Sequence, residues 1–293
     1  MKLKRIAKVL LSCMMAGALF TGCGGGEAPA KTEDKPASSA SAGEIKLGMI
    51  THLNATEKKM DEILQMVQED TGVNVAKYAV TYYDSLNQMQ MGIESGSIDQ
   101  ISLYTSVADY VVANNDKFEI VGDNLALKTL SDNFCFAVRK NDTDLKADLD
   151  KVIGEMKSDG SLEKLVNNYI TKVDKGQAPP AVEIPMTEGA NTIKVGVTGD
   201  LPPLDYVSAD GKAAGFNTAL LAEIAKRSGK NIELVQIESG ARASALTSGQ
   251  IDVVFWAVVP NLEKIPSDID KPDGVELSEP YFKDDVAHLK FNK

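Results

Sequence analysis

Cysteine, histidine and tryptophan are scarce in this sequence, which limits the chemistry that the chain can perform. Its 293 residues include three cysteines, two histidines and one tryptophan. No two cysteines form a CxxC pattern, so the usual zinc and redox motifs are missing. The sequence also lacks the G-x-S-x-G, H-E-x-x-H and P-loop motifs. We therefore predict no metal site and no cofactor, and we predict that the protein is not an enzyme.

Positively charged residues are also fewer than negatively charged ones. The chain has 31 Lys and Arg against 42 Asp and Glu, which gives a formal net charge of −11. No stripe of Lys and Arg is present, so nucleic acid is not an expected partner. An apolar content of 43% with 25% charged residues is ordinary for a soluble globular protein. This balance is consistent with a solute-binding or surface protein but selects no function.

The first 22 residues have the features of an export signal. A cationic start precedes the apolar run 9–20, which is too short to span a bilayer comfortably as a mature helix. The next letters, "LFTGC" at residues 19–23, resemble the end of a bacterial lipoprotein signal. By that resemblance, residues 1–22 are removed and Cys23 becomes the lipidated first residue. The alternative is a plain cleaved signal followed by an incidental cysteine.

Two segments of unusual composition divide the remaining chain. Residues 23–44 are rich in Gly, Ala, Ser and Pro and contain no aromatic residue, so they predict a flexible tether. Residues 173–191 contain three prolines and predict an interdomain linker. These breaks define a first unit at 45–172 and a second unit at 192–293.

The two units begin with the same phrases in the same order. "EIKLGMIT" at 44–51 resembles "TIKVGVTG" at 192–199, and "SGSID" at 95–99 resembles "SGQID" at 248–252. Two matched phrases at similar spacing indicate a duplicated unit. Each unit alternates strands with helices, which predicts an α/β fold with parallel strands. The aspartate of each S-G-x-I-D phrase is interpreted as a structural turn residue.

Ligands of open α/β sheets bind beyond the carboxyl ends of the strands, and this rule selects the candidate site. In the first unit it selects residues 51–54, which begin with Thr51, and residues 104–106, which begin with Tyr104. In the second unit it selects residues 200–206 and 256–264. His52 also follows the first strand, but a solvated loop histidine is the favoured interpretation of it.

Several longer segments resemble the family 3 extracellular solute-binding proteins, the polar-amino-acid receptors of ABC importers. They include "TIKVGVTGDLPPLDYVSADGKAAGFNTALLAEIAKRSGKNIELVQI", "ALTSGQIDVVFWAVVP" and "LSEPYF" in the second unit. "FAVRKNDTDLKADLDKVIGEMKSDGSLEKLVNNYI" in the first unit resembles that family's C-terminal end. The resemblance implies a periplasmic-binding-protein-like (type II) receptor, with two α/β lobes that close on a ligand. It leaves open whether the two units share one cleft or form separate sites.

The resemblance also implies a binding site from which this sequence departs. Such receptors usually present an Arg that binds the ligand carboxylate and an Asp that binds its amine. Here Lys264 occupies the Arg position and Tyr104 occupies the Asp position, while Trp256 and Ala257 replace small hydroxyl residues. Arg242 is a candidate substitute for the missing Arg. Trp256 is either a stacking wall for a ligand or a core residue of a buried strand.

The resulting hypothesis is a lipid-anchored, extracytoplasmic solute-binding protein. It would capture a small amino-acid-like or organic-acid ligand for an ABC permease in the membrane. One alternative is a sensory or interaction lipoprotein that kept the fold and lost the ligand clamp. A dehydratase-like enzyme on the same fold is the least favoured alternative. The predicted ligand-binding residues are Thr51, Tyr104, Asp200, Leu201, Tyr206, Arg242, Trp256, Ala257 and Lys264.

Overall fold

The computed structural model describes residues 44–54, 57–72, 78–122, 130–262 and 265–293. The predicted signal peptide, most of the predicted tether, Cys23 and Lys264 lie outside these ranges. The strands are β1 Ile45–Ile50, β2 Tyr78–Tyr83, β3 Gln100–Tyr104, β4 Phe118–Ile120, β5 Ser131–Arg139, β6 Thr192–Val197, β7 Asp200–Leu201, β8 Asp205–Val207, β9 Ala213–Ala214, β10 Asn231–Gln236, β11 Val253–Pro260, β12 Val275–Leu277 and β13 Phe282–Phe291. The helices are α1 Glu57–Thr71, α2 Leu86–Ser95, α3 Thr105–Asn114, α4 Thr143–Ser158, α5 Ser161–Val166, α6 Gly215–Ser228 and α7 Arg242–Thr247.

The predicted α/β class is confirmed by two matching groups of parallel strands. One group has the order β2-β1-β3 and the other has the order β10-β6-β11. Each group is completed by an antiparallel strand, which is β13 beside β3 and β5 beside β11. Because β5 and β13 also pair with each other, the two groups form one continuous sheet.

The two halves of the chain exchange their last strands. We call residues 44–122 lobe A and residues 140–281 lobe B, with β5 and β13 as the crossing strands. β5 follows lobe A in the chain but pairs with β11 of lobe B, and α4 and α5 pack against α6. β13 follows lobe B but pairs with β3 of lobe A. The chain therefore changes lobes at β5 and β13, whereas the composition break at 173–191 falls inside lobe B.

The duplicated phrases occupy equivalent positions in the two lobes. In lobe A the Asp99 carboxylate accepts a hydrogen bond from the Lys46 backbone N–H at 2.9 Å. In lobe B the Asp252 carboxylate accepts one from the Lys194 backbone N–H, also at 2.9 Å. Asp252 additionally pairs with the Arg139 guanidinium at 2.8 Å. Both aspartates are therefore structural, because each joins the third strand of its unit to the first.

The isoleucine of each phrase packs over the glycine of the first strand. A β-carbon added to Gly48 would lie 2.5 Å from Ile98 Cδ1, and one added to Gly196 would lie 2.6 Å from Ile251 Cδ1. A side chain at either position would displace the isoleucine from the core. This close packing explains why both copies combine a glycine in the first strand with an isoleucine in the later phrase.

The middle of the sheet is an aromatic core built from the crossing strands and β11. Phe136 and Phe255 are buried with their ring centroids 5.8 Å apart, and Tyr281 stacks on Phe136 at 4.6 Å. Cys135 lies in the same strand as Phe136. Burial raises the pKa of its thiol to about 12, so the group is unreactive at neutral pH. This core holds β5 and β13 together where they join the lobes.

Candidate functional site

A cavity of about 170 Å³ lies where the parallel strands of both lobes end beside the crossing strands. Lobe A contributes the ends of β1 and β3 together with α1. Lobe B contributes β11, the start of α6 and the 265–270 loop. The wall is mainly apolar. The cavity therefore occupies the place at which ligands of open α/β sheets bind.

Four aromatic side chains, which we call the ring cluster, form one part of the wall. Phe134 is at the centre, with Tyr104 at 4.7 Å, Phe282 at 5.4 Å and Trp256 at 6.2 Å between ring centroids. All four residues line the cavity. They come from β3, β5, β11 and β13, so only the assembled sheet brings them together.

A β-bulge sets the direction of Trp256. In the pairing of β11 with β5, Val254 is opposite Ala137 and Ala257 is opposite Cys135. Phe255 and Trp256 are therefore both opposite a single residue. Consecutive side chains of a regular strand point to opposite faces, whereas a bulge re-aims one of them. Accordingly, both Phe255 and Trp256 reach the cavity wall.

An acidic group stands beside the ring cluster. Asp132 lies at the start of β5, and its carboxylate accepts a hydrogen bond from the Tyr104 hydroxyl at 2.7 Å. Burial raises the pKa of Asp132, while this hydrogen bond and the neighbouring His52 lower it. His52 lies 4.0 Å from the carboxylate of Asp270, which also lines the cavity. The wall therefore includes carboxylates, and no Lys or Arg occurs among its described residues.

Three wall residues carry polar atoms without a hydrogen-bond partner among the described residues. The atoms are the Trp256 indole N–H, both side-chain polar atoms of Asn217 at the start of α6, and Nδ1 of His288. Trp256 is 4% exposed and Asn217 is 1% exposed. Buried polar groups in native proteins nearly always have partners, so exceptions that line a cavity indicate a place for a ligand.

Arg242 is fully buried but forms no ion pair within the described chain. Its guanidinium donates to the backbone carbonyls of Ser239 at 3.1 Å, Trp256 at 2.8 Å and Thr51 at 2.9 Å. The guanidinium also lies over the Trp256 ring, 4.0 Å from its centroid. Burial lowers the pKa of Arg242 to about 10, so the group remains charged at neutral pH. Arg242 therefore supports the back of Trp256 and links lobe B to lobe A.

The structure separates the described predicted site residues into three groups. Tyr104, Leu201 and Trp256 line the cavity. Arg242 and Thr51 form the supporting network, and Asp200 accepts a hydrogen bond from the Leu86 backbone N–H at 2.7 Å. The two remaining described residues are Ala257, which is fully buried, and Tyr206, which is partly exposed; neither lines the cavity.

Several wall residues were not selected from the sequence. Asp132 follows no motif, and it reaches the cavity only because β5 crosses between the lobes. Asn217 stands in "GFN" at the start of α6, and no motif in the sequence selects it. His52 was interpreted as a solvated loop residue, but it is 17% exposed and lines the cavity. For Asn217, the sequence offered one signal of a binding role, which was the position of a polar residue at a predicted helix start beside the edge of the sheet.

Comparison with known proteins finds a family resemblance in the last third of the chain. Residues 193–287 match the model of the bacterial extracellular solute-binding proteins, family 3. Over these residues, the chain is similar to family 3. The matched segment contains Trp256, Arg242 and Asn217, and it ends within β13. The family 3 match agrees with the predicted periplasmic-binding-protein-like (type II) fold class.

Two curated relatives show the extent of the similarity. A probable histidine-binding protein of Campylobacter jejuni is 32% identical over 99 residues, which are 34% of this chain and 36% of that protein. A putative ABC transporter arginine-binding protein 2 of Escherichia coli is 29% identical over 91 residues, 31% of this chain and 37% of that protein. This chain therefore spans about a third of the length of the curated relatives it matches.

Among solved structures, the Bordetella pertussis BvgS VFT2 domain aligns with a TM-score of 0.39 and 12% identity. The alignment covers 85% of this chain and 81% of that chain.

None of the helices in the described ranges combines the length and the apolar character that a membrane crossing requires.

His288 is expected to make stability depend on pH in the acid range. It is buried on β13, and burial lowers its pKa to about 4 from the ordinary 6.5. The unfolded chain therefore takes up the proton first as the pH falls, and stability is lost between pH 6.5 and 4. We expect wild type to lose about 3 kcal/mol more than His288→Leu over this interval.

Urea unfolding of both proteins at pH 7.5, 5.5 and 4 measures this difference. The carboxylates are common to both proteins, so their contributions cancel. Parallel stability curves would show that the folded protein accepts the proton on His288, contrary to the expectation.

Proposed function

We propose that the protein is a solute-binding receptor that captures a small organic molecule in the cavity and delivers it to an ABC permease. The observation that carries this proposal is the position of the cavity, between two lobes of a chain that matches family 3. Both lobes contribute to the wall, and the unpartnered groups of Trp256 and Asn217 lie there.

Hydrogen bonds that cross between the lobes support closure around a ligand. Asn54 of lobe A donates its backbone N–H to Asp270 at 2.8 Å, and its side-chain amide to the carbonyls of Lys271 at 2.9 Å and Ile269 at 3.4 Å. An apolar contact between Val67 of α1 and the 265–270 loop lies beside them. These contacts cover the cavity on one side, and they would separate when the lobes move apart.

We further propose that the receptor acts outside the cytoplasm, anchored through a lipid on Cys23. The sequence pattern of residues 1–44 supports this part of the proposal, since it combines an export signal, a lipoprotein-like cleavage site and a tether. Mass spectrometry of the mature N-terminus from membrane fractions tests it. Loss of the lipid and of membrane association in Cys23→Ser is the expected result.

Ligand capture is tested by thermal denaturation of the purified mature protein with a library of amino acids, amines, organic acids and short peptides. A ligand that binds only the native state stabilises it by RT ln(1 + L/Kd), where L is the ligand concentration, so the melting temperature rises with the logarithm of the ligand concentration above Kd. Mass spectrometry of the denatured protein detects any ligand that co-purifies. The absence of both signals would reject the receptor and favour the sensory or interaction lipoprotein.

Asn54→Ala is expected to favour the open state. The substitution removes the two side-chain hydrogen bonds to the 269–271 loop and keeps the backbone contact. We expect ligand affinity to fall about tenfold, because closure loses roughly 1 kcal/mol or more. We also expect a larger radius of gyration by small-angle X-ray scattering without ligand.

The control is Asn87→Ala, which removes an exposed amide on α2 of the same lobe. It should leave both measurements unchanged. If Asn54→Ala matches wild type in affinity and radius, the 269–271 contacts do not hold the lobes together.

A further inference from the structure

We propose that the cavity binds a small organic ammonium ion that lacks a carboxylate, with Asp132 as its counter-ion and the ring cluster as its wall. This inference rests on the proposed receptor function and names the ligand class. It differs from the α-amino acid that the family resemblance implies, because the described wall has an accessible carboxylate and no Lys or Arg.

The negative charge that is available to a ligand belongs to Asp132. Three carboxylates line the cavity, but two are already bound by several donors. Asp205 accepts from the Thr198 backbone N–H at 2.7 Å and from its hydroxyl at 3.0 Å. Asp270 accepts from the backbone N–H groups of Asn54 and Val258. Asp132 has one hydrogen-bond partner in the described chain, the Tyr104 hydroxyl. It can therefore accept hydrogen bonds from a cation.

A ligand carboxylate would have no Lys or Arg partner among the described wall residues. The nearby Arg242 uses its N–H groups on three backbone carbonyls, and its face is covered by Trp256. A carboxylate would therefore be desolvated beside Asp132 without compensation. An ammonium group without a carboxylate avoids this cost.

The ring cluster suits the same ligand. Asp132 and Phe134 are two residues apart on β5 and share one face of the strand. Tyr104 contacts both of them, through its hydroxyl and its ring. Aromatic faces attract cations, and they do so more strongly where water is excluded. An ammonium at Asp132 would therefore also lie beside aromatic rings.

The rest of the cavity limits the size and polarity of the ligand. A cavity of about 150 Å³ with apolar walls accommodates benzene, and this one measures about 170 Å³. One ring or a short aliphatic body is therefore the suitable size. The open indole N–H of Trp256 and the amide of Asn217 offer hydrogen bonds to an uncharged polar atom on that body.

Three matched probes separate the ligand classes. Benzylamine is the ammonium, benzyl alcohol is its neutral counterpart, and phenylglycine is benzylamine with a carboxylate added. We expect calorimetric titration to show benzylamine binding about 10- to 100-fold more tightly than either of the others. Trp256 is the sole tryptophan of the chain. Its fluorescence therefore reports whether each probe enters this cavity.

Asp132→Asn keeps the shape of the side chain and removes its charge. We expect it to abolish the preference for benzylamine over benzyl alcohol. Asp285→Asn is the matched control, because Asp285 lies on β13 and is exposed. The control makes the same change in net charge and should retain the preference. If Asp132→Asn does not fold, the three probes on wild type still decide the question.

The possible outcomes distinguish this inference from the proposed function. Tighter binding of phenylglycine, or equal binding of all three probes, overturns the ammonium assignment. If none of the probes binds while an amino acid raises the melting temperature, the assignment fails and the receptor function stands. If no compound binds and none co-purifies, both fail. A preference for benzylamine that disappears only in Asp132→Asn supports the assignment.

Discussion

Arg242→Ala is expected to destabilise the protein by about 3–5 kcal/mol. Arg242 is 1% exposed, and its side chain satisfies three backbone carbonyls that have become inaccessible to water. Alanine would leave those acceptors without a donor and would open a void behind Trp256. The effect should be large even though Arg242 has no ion pair among the described residues, because the substitution removes buried hydrogen bonds and not a surface charge.

Urea unfolding monitored by circular dichroism measures this effect. Arg227→Ala is the control, since Arg227 is a partly exposed arginine that pairs with Asp159 and Glu223. Surface pairs of this kind contribute about 0–1 kcal/mol. Arg242→Met fills the volume without donors and should fall between wild type and Arg242→Ala. A cost below about 1 kcal/mol for Arg242→Ala would show that water or backbone movement satisfies the carbonyls.

Trp256→Ala is expected to cost about 3–5 kcal/mol and to abolish ligand binding. The side chain is 4% exposed, and it contacts Arg242 behind, Phe134 beside and His52 at the edge. Its removal takes away one wall of the cavity. It also takes away the aromatic ring that packs against the buried guanidinium of Arg242. We therefore expect Trp256→Ala to weaken ligand binding more than Asn54→Ala, which removes contacts between the lobes.

Trp256→Phe provides the control for Trp256→Ala. It keeps an aromatic wall and removes the indole N–H, which has no described partner. We expect most of the stability to remain. A ligand that accepts a hydrogen bond from this N–H should bind more weakly. A double-mutant cycle of Trp256→Ala with Arg242→Ala should show a coupling of about 1–2 kcal/mol. Additive effects would contradict the stacked arrangement.

The duplication was predictable from sequence because it is written in local patterns. The phrases "IKLG" and "IKVG" with their later S-G-x-I-D partners indicate strand, turn and strand without reference to the rest of the molecule. The structure confirms the geometric reason, since Asp99 and Asp252 hold equivalent backbone N–H groups. Helix α7, residues Arg242–Thr247, was also predictable from its position before the second phrase.

The site was only partly predictable. The rule for the ends of parallel strands selected Tyr104 and Trp256, and the structure places both on one cavity wall. The same rule selected Asp200 and Thr51, which form contacts between the lobes instead. It could not select Asp132, because β5 is antiparallel to its neighbours and lies between the lobes. The bulge that directs Trp256 also leaves no mark in the hydrophobic pattern.

The sequence by itself determined the α/β class, the duplicated unit and the structural role of its aspartates. These properties depend on periodicity and on short phrases, which act over neighbouring residues. Tertiary structure alone decided which strand completes which lobe, because pairing of β5 with β11 and of β13 with β3 joins residues far apart in the chain. That exchange brings Asp132 and the ring cluster together. The charge and shape of the cavity therefore follow from long-range strand pairing, which no local pattern encodes.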